Sequence, residues 1–153
     1  MSRVPLAVLD LSPISEGSTA RQALQNTIDL AQNAEKWGYR RYWVAEHHFV
    51  AVASSSPAVL IGLIASATNE IRVGSAAVQV GHHTAAAVVE AFGTIDALYP
   101  GRIDLGLGRS GQRRAEAVAG KDDPVAPREP TVVEGTSISY AIPNFLRHSD
   151  RPS

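Results

Sequence analysis

One unit recurs four times along the chain, and it constrains the fold more than any other feature. Each copy has a short run of β-forming residues, and in the first three copies a polar loop and a longer helical run follow. The β-type runs span 4–9, 42–45, 71–80 and 102–107. Strands that alternate with helices in this way indicate βαβ units and therefore a parallel sheet in an α/β fold.

Short polar residues mark where the predicted helices begin, because a side-chain oxygen can accept a hydrogen bond from the free N–H groups of a first turn. The candidate caps are Ser18 or Thr19, Ser56 and Thr84. Gly38 is a plausible stop for the first helix. The second helix, predicted over 58–68, is apolar nearly all round and should be well buried, and the third is predicted over 85–98.

Composition permits one packed domain and excludes several function classes. Of the 153 residues, 44% are hydrophobic and 19% are charged, so a packed core is expected. The formal net charge of −1 gives no electrostatic reason to bind nucleic acid or an anionic membrane. The absence of cysteine excludes thiolate chemistry and Cys-ligated metal sites, and it fits a cytoplasmic location. We expect a folded part over 1–120, followed by a loop and an irregular, divergent tail over 121–153.

The reactive side chains follow the predicted strands rather than precede them. Ligands of parallel α/β folds bind where the strands end at their carboxyl side. Four of the five histidines fall in the segments after strands, and the fifth, His148, lies in the tail. The full set of polar residues at these ends is Asp10, Ser12, Glu46, His47, His48, His82, His83, Arg109 and Ser110. This asymmetry predicts a functional face at the carboxyl edge of the sheet.

The histidine pairs allow two kinds of chemistry. His47 and His48 are adjacent and should point apart in an extended segment, so that one faces the site and the other packs or bonds to backbone. An imidazole titrates near neutral pH and suits a general base. Alternatively, the set Glu46, His47, His82 and His83 could converge on a zinc or iron ion. Neighbouring histidines lack the i, i+4 spacing of a helical metal site, so no metal ligand is assigned.

A glycine-rich segment, 106–111, follows the fourth strand. Its backbone N–H groups could approach a phosphate, and Arg109 would supply a fork of donors. The segment lacks the spacing of a Walker loop or a dinucleotide-binding fingerprint. Taken alone, it is a weak indication of phosphate binding.

Three stretches together resemble the bacterial luciferase-like flavin-dependent monooxygenases. They are Val-Ala-Glu-His-His-Phe at 44–49, Arg-Val-Gly-Ser-Ala-Ala-Val at 72–78 and the Tyr-Pro-Gly-Arg…Gly-Leu-Gly-Arg-Ser run at 99–110. The resemblance covers residues 4 to about 120. It implies the first four βα units of a (β/α)₈ TIM barrel that uses reduced FMN and O₂ to oxygenate an aldehyde or another small organic substrate.

The same resemblance implies roles for individual residues. His47 matches a histidine near the flavin edge that handles a proton, and it is the predicted catalytic residue. Ala76 and Ala77 match a position where a non-prolyl cis peptide often packs against the flavin ring. Arg109 matches an arginine that reaches the flavin phosphate. The predicted cofactor-binding set is completed by Glu46, Gly108 and Ser110.

Full members of this family are about twice as long as this chain, so strands five to eight have no counterpart in it. We therefore expect a homo-oligomer or a need for a complementing half-barrel, together with a flavin reductase as partner. A non-catalytic half-barrel that binds a flavin or another protein is one alternative. A reductase that depends on the deazaflavin F420 is another.

Overall fold

The computed structural model describes residues 4–109. The tail over 121–153 lies outside them. The elements in chain order are β1 (Ala7–Asp10), α1 (Ala20–Lys36), β2 (Arg41–Val44), α2 (Pro57–Ala67), β3 (Arg72–Ser75), β4 (Val78–Gln79), a 3₁₀ turn (Val80–His82), α3 (Ala85–Leu98), β5 (Ile103–Asp104) and β6 (Leu107–Gly108).

The predicted parallel sheet is confirmed. Four strands pair in the order β1-β2-β3-β5, every pair is parallel, and a helix follows each of β1 and β2. A second parallel pair, β4 with β6, continues beyond the ends of β3 and β5. Among the described residues β1 and β5 are the two outer strands, and Leu6 and Leu9 near the first of them are more than half exposed. This arrangement is part of a barrel with its sheet left open.

The core lies between the sheet and the helices. Tyr42, Val44 and Val73 point from the strands into the same layer as Ile61 and Ile64 of α2, and all five are fully buried. Burying side chains of this size is the main source of stability in such a layer.

The prediction that α2 is well buried holds for one side of the helix, which carries Leu60, Ile61, Ile64 and Ala65. Val59 and Leu63 are exposed on its outer side. Only one side of α2 contacts the sheet and the neighbouring helices, so apolar composition alone does not set burial. No helix within 4–109 is long and apolar enough to cross a membrane.

The helix starts follow the predicted capping chemistry at two of three positions. Thr19 accepts a hydrogen bond from the N–H of Gln22, and Thr84 accepts one from Ala87. Ser56 occupies the cap position of α2 without a side-chain hydrogen bond. Gly38 has a φ of 81°, a left-handed conformation that ends α1 as expected.

The third predicted strand, 71–80, is interrupted. Strand β3 ends at Ser75, the Ala76–Ala77 peptide bond is cis, and pairing resumes at Val78. The break coincides with a long-range contact in which the Ser75 hydroxyl donates to the Gly106 carbonyl and accepts from the Gly106 N–H, both at 3.0 Å. The backbone pairing resumes where the Val78 N–H donates to the Gly106 carbonyl at 2.8 Å, and the fourth run is divided opposite this point into β5 and β6.

Candidate functional site

The carboxyl ends of the strands carry the candidate residues, and two loops there are joined by backbone hydrogen bonds. The loop after β1 contacts the loop after β2, because Ile14 donates to the Ala51 carbonyl at 3.0 Å and Ala53 donates to the Ser12 carbonyl at 2.8 Å. The loop after β2 is the one that carries Glu46, His47 and His48. These two hydrogen bonds therefore hold the loop after β2 in place against the loop after β1.

Asp10, at the end of β1, is a structural carboxylate. One oxygen accepts from the Ser12 N–H at 2.8 Å, and the other accepts from the hydroxyls of Thr27 at 2.6 Å and Tyr42 at 2.7 Å. Burial raises the pKa of Tyr42 well above its ordinary value, and the hydrogen bond and charge of Asp10 raise it further. Since all of its acceptor positions face protein donors, Asp10 holds the first loop rather than serving a ligand.

Glu46 is the centre of the site. Its side chain has no exposed surface, and Oε1 lies 2.6 Å from His48 Nε2 and 2.8 Å from His83 Nε2. Oε2 accepts from the Gln79 N–H at 3.0 Å. Burial raises the pKa of Glu46, but the hydrogen bonds from His48, Gln79 and His83 outweigh it, so the pKa is lowered overall. The carboxylate is thus charged, buried and fully bonded.

His47 differs from its neighbour. Its backbone N–H donates to the Ser54 carbonyl at 3.0 Å, and its ring is half-buried. The ring atom Nδ1 is buried, and among the described residues it has no hydrogen-bond partner. Buried polar atoms are nearly always paired in folded proteins. The His47 Nδ1 atom is therefore a candidate for a hydrogen bond that the described residues do not supply.

The structure changes the metal set that the sequence suggested. It brings together Glu46, His48 and His83, whose ligand atoms all lie within 4.8 Å of one another. His47 and His82 are not in this group. The ring of His82 instead packs against that of His48, with centroids 4.5 Å apart.

The glycine-rich segment lies beside this cluster. Gly108 pairs with Gln79 in the β4–β6 register, and Gln79 is the residue that bonds Glu46. A Cβ atom on Gly108 would lie 3.2 Å from the Cβ of Ala77, so the glycine allows β6 to approach β4 closely. Arg109 is exposed. Ser110 lies outside the described residues, so its predicted role stays a prediction.

Gln79 was not among the predicted site residues. Besides its N–H bond, its side-chain amide donates to the backbone carbonyl of Glu46. The sequence feature that pointed to Gln79 is its polar side chain between Val78 and Val80 in an otherwise apolar run. That pattern alone does not reveal a partner 33 positions earlier in the chain.

A comparison with known families decides the classification. A family model described as luciferase-like monooxygenase matches residues 4–132. The chain belongs to the luciferase-like monooxygenase family. The resemblance read from its three motifs is thereby confirmed.

Two relatives within the family give the scale of the similarity. A luciferase-like monooxygenase of Escherichia coli is 50% identical over 70% of this chain. The N-acetyl-S-alkylcysteine monooxygenase of Bacillus subtilis is 48% identical over the same share. In each comparison the chain spans 32% of the relative's length, about a third.

Solved structures agree with the fold. Apo-MsnO8 is 41% identical, with a TM-score of 0.72 over 81% of this chain and 39% of its own. The FMN-bound oxygenating constituent of 3,6-diketocamphane monooxygenase from Pseudomonas putida is 22% identical, with a TM-score of 0.68 over 77% of this chain and 33% of its own. The F420-dependent tetrahydromethanopterin reductase of Methanopyrus kandleri is 18% identical, with a TM-score of 0.60 over 78% and 30%. At such identities the last two share the fold alone, and that fold accommodates either cofactor.

Proposed function

We propose that this chain contributes the FMN and oxygen end of a flavin-dependent monooxygenase that acts on a small organic substrate. Family membership and the names of its two relatives support monooxygenation. The observation that carries the proposal is the His47 Nδ1 atom just after β2, which is buried and has no hydrogen-bond partner within residues 4–109. A general base must be positioned close to the atom whose proton it takes, and His47 would be that base.

The residues present fit a flavin phosphate and ring. Arg109 is exposed beside Gly108, so its guanidinium is available to pair with a phosphate, for which its planar fork of donors is well suited. Ala76 and Ala77 are small, and they lie against the glycine-rich segment, Ala76 beside Gly106 and Ala77 beside Gly108. Together with Ser110, these residues would hold FMN. When bound, reduced FMN supplies two electrons to O₂, so that one oxygen atom enters the substrate and the other leaves as water.

In this proposal Glu46 does not contact the flavin directly. Both of its oxygens already accept hydrogen bonds, from His48 and His83 on one side and from Gln79 on the other. Its charge therefore orients the two imidazoles around the site. His47 remains the group that accepts or donates the proton, because its Nδ1 alone among the buried side-chain nitrogen and oxygen atoms of 4–109 lacks a partner.

Because the chain spans about a third of its relatives, the activity of a whole protein, its partners and its location are also proposals. We propose that reduced FMN comes from a separate flavin reductase. The remaining wall of the barrel would come from a second copy of the chain or from a complementing half-barrel. The cytoplasm is the expected location.

The decisive experiment is a binding titration followed by isotope labelling. FMN and F420 are titrated separately against the full chain, with flavin fluorescence as the readout. The chain is then supplied with reduced FMN, ¹⁸O₂ and either a long-chain aldehyde or an N-acetyl-S-alkylcysteine. We expect FMN to bind and one ¹⁸O atom to enter a product.

The other outcomes separate the alternatives. Binding of F420 in place of FMN would identify the reductase branch. FMN binding without ¹⁸O incorporation would leave a non-catalytic flavin-binding half-barrel. Failure to bind either flavin would refute the proposal.

A further inference from the structure

We propose that Glu46, His48 and His83 form a binding site for a divalent transition metal ion of the Zn²⁺ type. The site uses the Oε1 atom of the carboxylate and the Nε2 atoms of both imidazoles. It does not depend on the proposed flavin chemistry, because none of the three side chains is assigned to contact the flavin.

The ligand atoms already converge. Oε1 lies 2.6 Å from one Nε2 and 2.8 Å from the other, and all three atoms are within 4.8 Å of each other. A zinc ion sits about 2.0–2.2 Å from nitrogen and oxygen ligands. Tetrahedral ligands at these bond lengths are about 3.4 Å apart, so His48 and His83 must each move outward by roughly half to three-quarters of an ångström to admit an ion.

The carboxylate is held rigidly and is ready to bind through one oxygen. Oε2 is occupied by the Gln79 N–H at 3.0 Å, and the Gln79 side chain donates to the Glu46 carbonyl. The preceding residue is fixed as well, because the Ser54 hydroxyl donates to the Ala45 carbonyl. Such outer contacts orient the ligands of metal sites and strengthen binding.

Both imidazoles must change which nitrogen carries the proton when the ion binds. In the metal-free protein each Nε2 can donate its proton to Glu46. On binding, each Nε2 must present its lone pair, so that the proton moves to Nδ1 or to solvent. Their side chains are 23% and 32% exposed, so hydrated Nδ1–H groups and an entry path for the ion are both available.

The donor set selects the class of metal. Two imidazole nitrogens with one carboxylate oxygen suit Zn²⁺, Co²⁺ or Fe²⁺, whereas Mg²⁺ and Ca²⁺ prefer oxygen ligands throughout. Three protein ligands leave at least one coordination position open. That pattern is typical of catalytic rather than structural zinc sites.

The test is a calorimetric titration of the EDTA-treated full chain with ZnCl₂ and, separately, with MgCl₂. We expect one Zn²⁺ per chain, no Mg²⁺ binding, and visible absorption from a bound Co²⁺ ion added in place of zinc. His48→Ala and His83→Ala should each weaken Zn²⁺ binding by about tenfold or more. His82→Ala is the matched control, because this histidine adjoins His83 and packs on His48 but offers no ligand atom.

Circular dichroism shows whether each variant is folded. If an alanine variant does not fold, His48→Gln or His83→Gln is tested in its place. Zinc binding that survives both histidine changes, or that is lost equally in His82→Ala, would overturn the proposal. So would the absence of stoichiometric binding to the unaltered chain. No flavin is present in this titration, so its failure would not bear on the proposed monooxygenase function.

Discussion

The two ends of the parallel sheet use their charged groups differently. At the amino end, Asp104 accepts from both Arg41 and Arg72, at 3.1 Å in each Nε contact. At the carboxyl end, Glu46 accepts from the imidazoles of His48 and His83. The first arrangement pairs a carboxylate with guanidinium groups, which can only donate, and the second pairs a carboxylate with imidazole rings, whose two nitrogens can donate or accept.

The amino end is also saturated with backbone contacts. Arg102 donates to the carbonyls of Ala65, Thr68 and Ile71, and the Glu35 carboxylate accepts from the N–H groups of Asn69, Glu70 and Ile71. These bonds tie the end of α2 to the start of β3. The carboxyl end, by contrast, contains the Nδ1 atom of His47, which is buried and lacks a partner in the part of the chain that the structure describes. The amino end therefore serves mainly to hold the fold together.

The largest effect should come from His47→Ala at the carboxyl end. We expect turnover to fall by about a hundredfold or more while FMN affinity changes little, because a general base acts on the reaction rather than on cofactor binding. Steady-state oxygenation rates and fluorescence titration with FMN measure the two quantities.

Arg109→Ala should give the reverse pattern, with weaker FMN binding as the main effect. Arg40→Ala is the matched control, because Arg40 is also exposed but lies just before β2, at the amino end of the sheet. A loss of FMN affinity in His47→Ala, with turnover of bound flavin intact, would contradict the assigned roles.

At the amino end, Arg102→Ala should lower the free energy of unfolding by about 2–3 kcal/mol. The change removes the guanidinium donors from three backbone carbonyls that lie where α2 meets β3. Urea denaturation measures it, with Arg21→Ala on the exposed side of α1 as the control. If both variants unfold at the same urea concentration, the saturated contacts at this end do not stabilise the fold.

Acid should weaken both ends through carboxylates that accept hydrogen bonds from backbone N–H groups. For Glu35, burial raises the pKa, but hydrogen bonds from the N–H groups of Glu70, Ile71 and Asn69 and the charge of Arg102 outweigh it, so the pKa is lowered from its ordinary 4.5. The pKa of Glu46 is lowered as well. A carboxyl with a lower pKa in the folded state stabilises the protein above the unfolded pKa, and this contribution is lost as pH falls through the folded value.

Glu35→Gln and Glu46→Gln each remove one such contribution, because an amide does not titrate. Each variant should be less stable than the unaltered chain at pH 7, and the difference should shrink as the pH drops below about 4.5. Urea denaturation over this pH range measures it. A difference that stays constant with pH would mean that the ionised carboxylate is not what stabilises the fold there.

The smallest effect should come from Arg41→Ala. Its side chain is 45% exposed, and Arg72 continues to pair with Asp104 after the change. We expect a loss of less than about 1 kcal/mol that disappears at high salt. Urea denaturation at low and high ionic strength is the measurement, and a large loss that is independent of salt would show that the amino end depends on this pair.

Several parts of the fold could be predicted from local sequence. The bounds of α3, the caps at Thr19 and Thr84 and the stop at Gly38 follow from side-chain and backbone preferences that act within a few residues. The concentration of histidines after strands predicted the functional edge, because parallel strands place all of their carboxyl ends on one side.

The partners within that edge could be predicted only in part. Convergence of Glu46 with His83, 37 positions later, was expected, but with His47 and His82 in the group, whereas the structure brings His48 to Glu46 instead. The break in the third strand likewise coincides with a contact to Gly106, which is 31 positions from Ser75. Contacts of this kind are set by the distance between loops after the sheet has formed, and no local preference encodes that distance.

The sequence by itself determined the α/β class, the parallel strand pairing and the family, and it predicted which edge of the sheet carries the candidate residues. These properties depend on hydrophobic periodicity, helix capping and the order of the motifs, all of which are features of residues close together in the chain. Only the tertiary structure decided that Glu46 binds both His48 and His83, that Gln79 orients it and that the His47 Nδ1 finds no partner among the described residues. Hydrogen bonding is directional and acts over about 3 Å, so its choices depend on the packing that brings distant loops together.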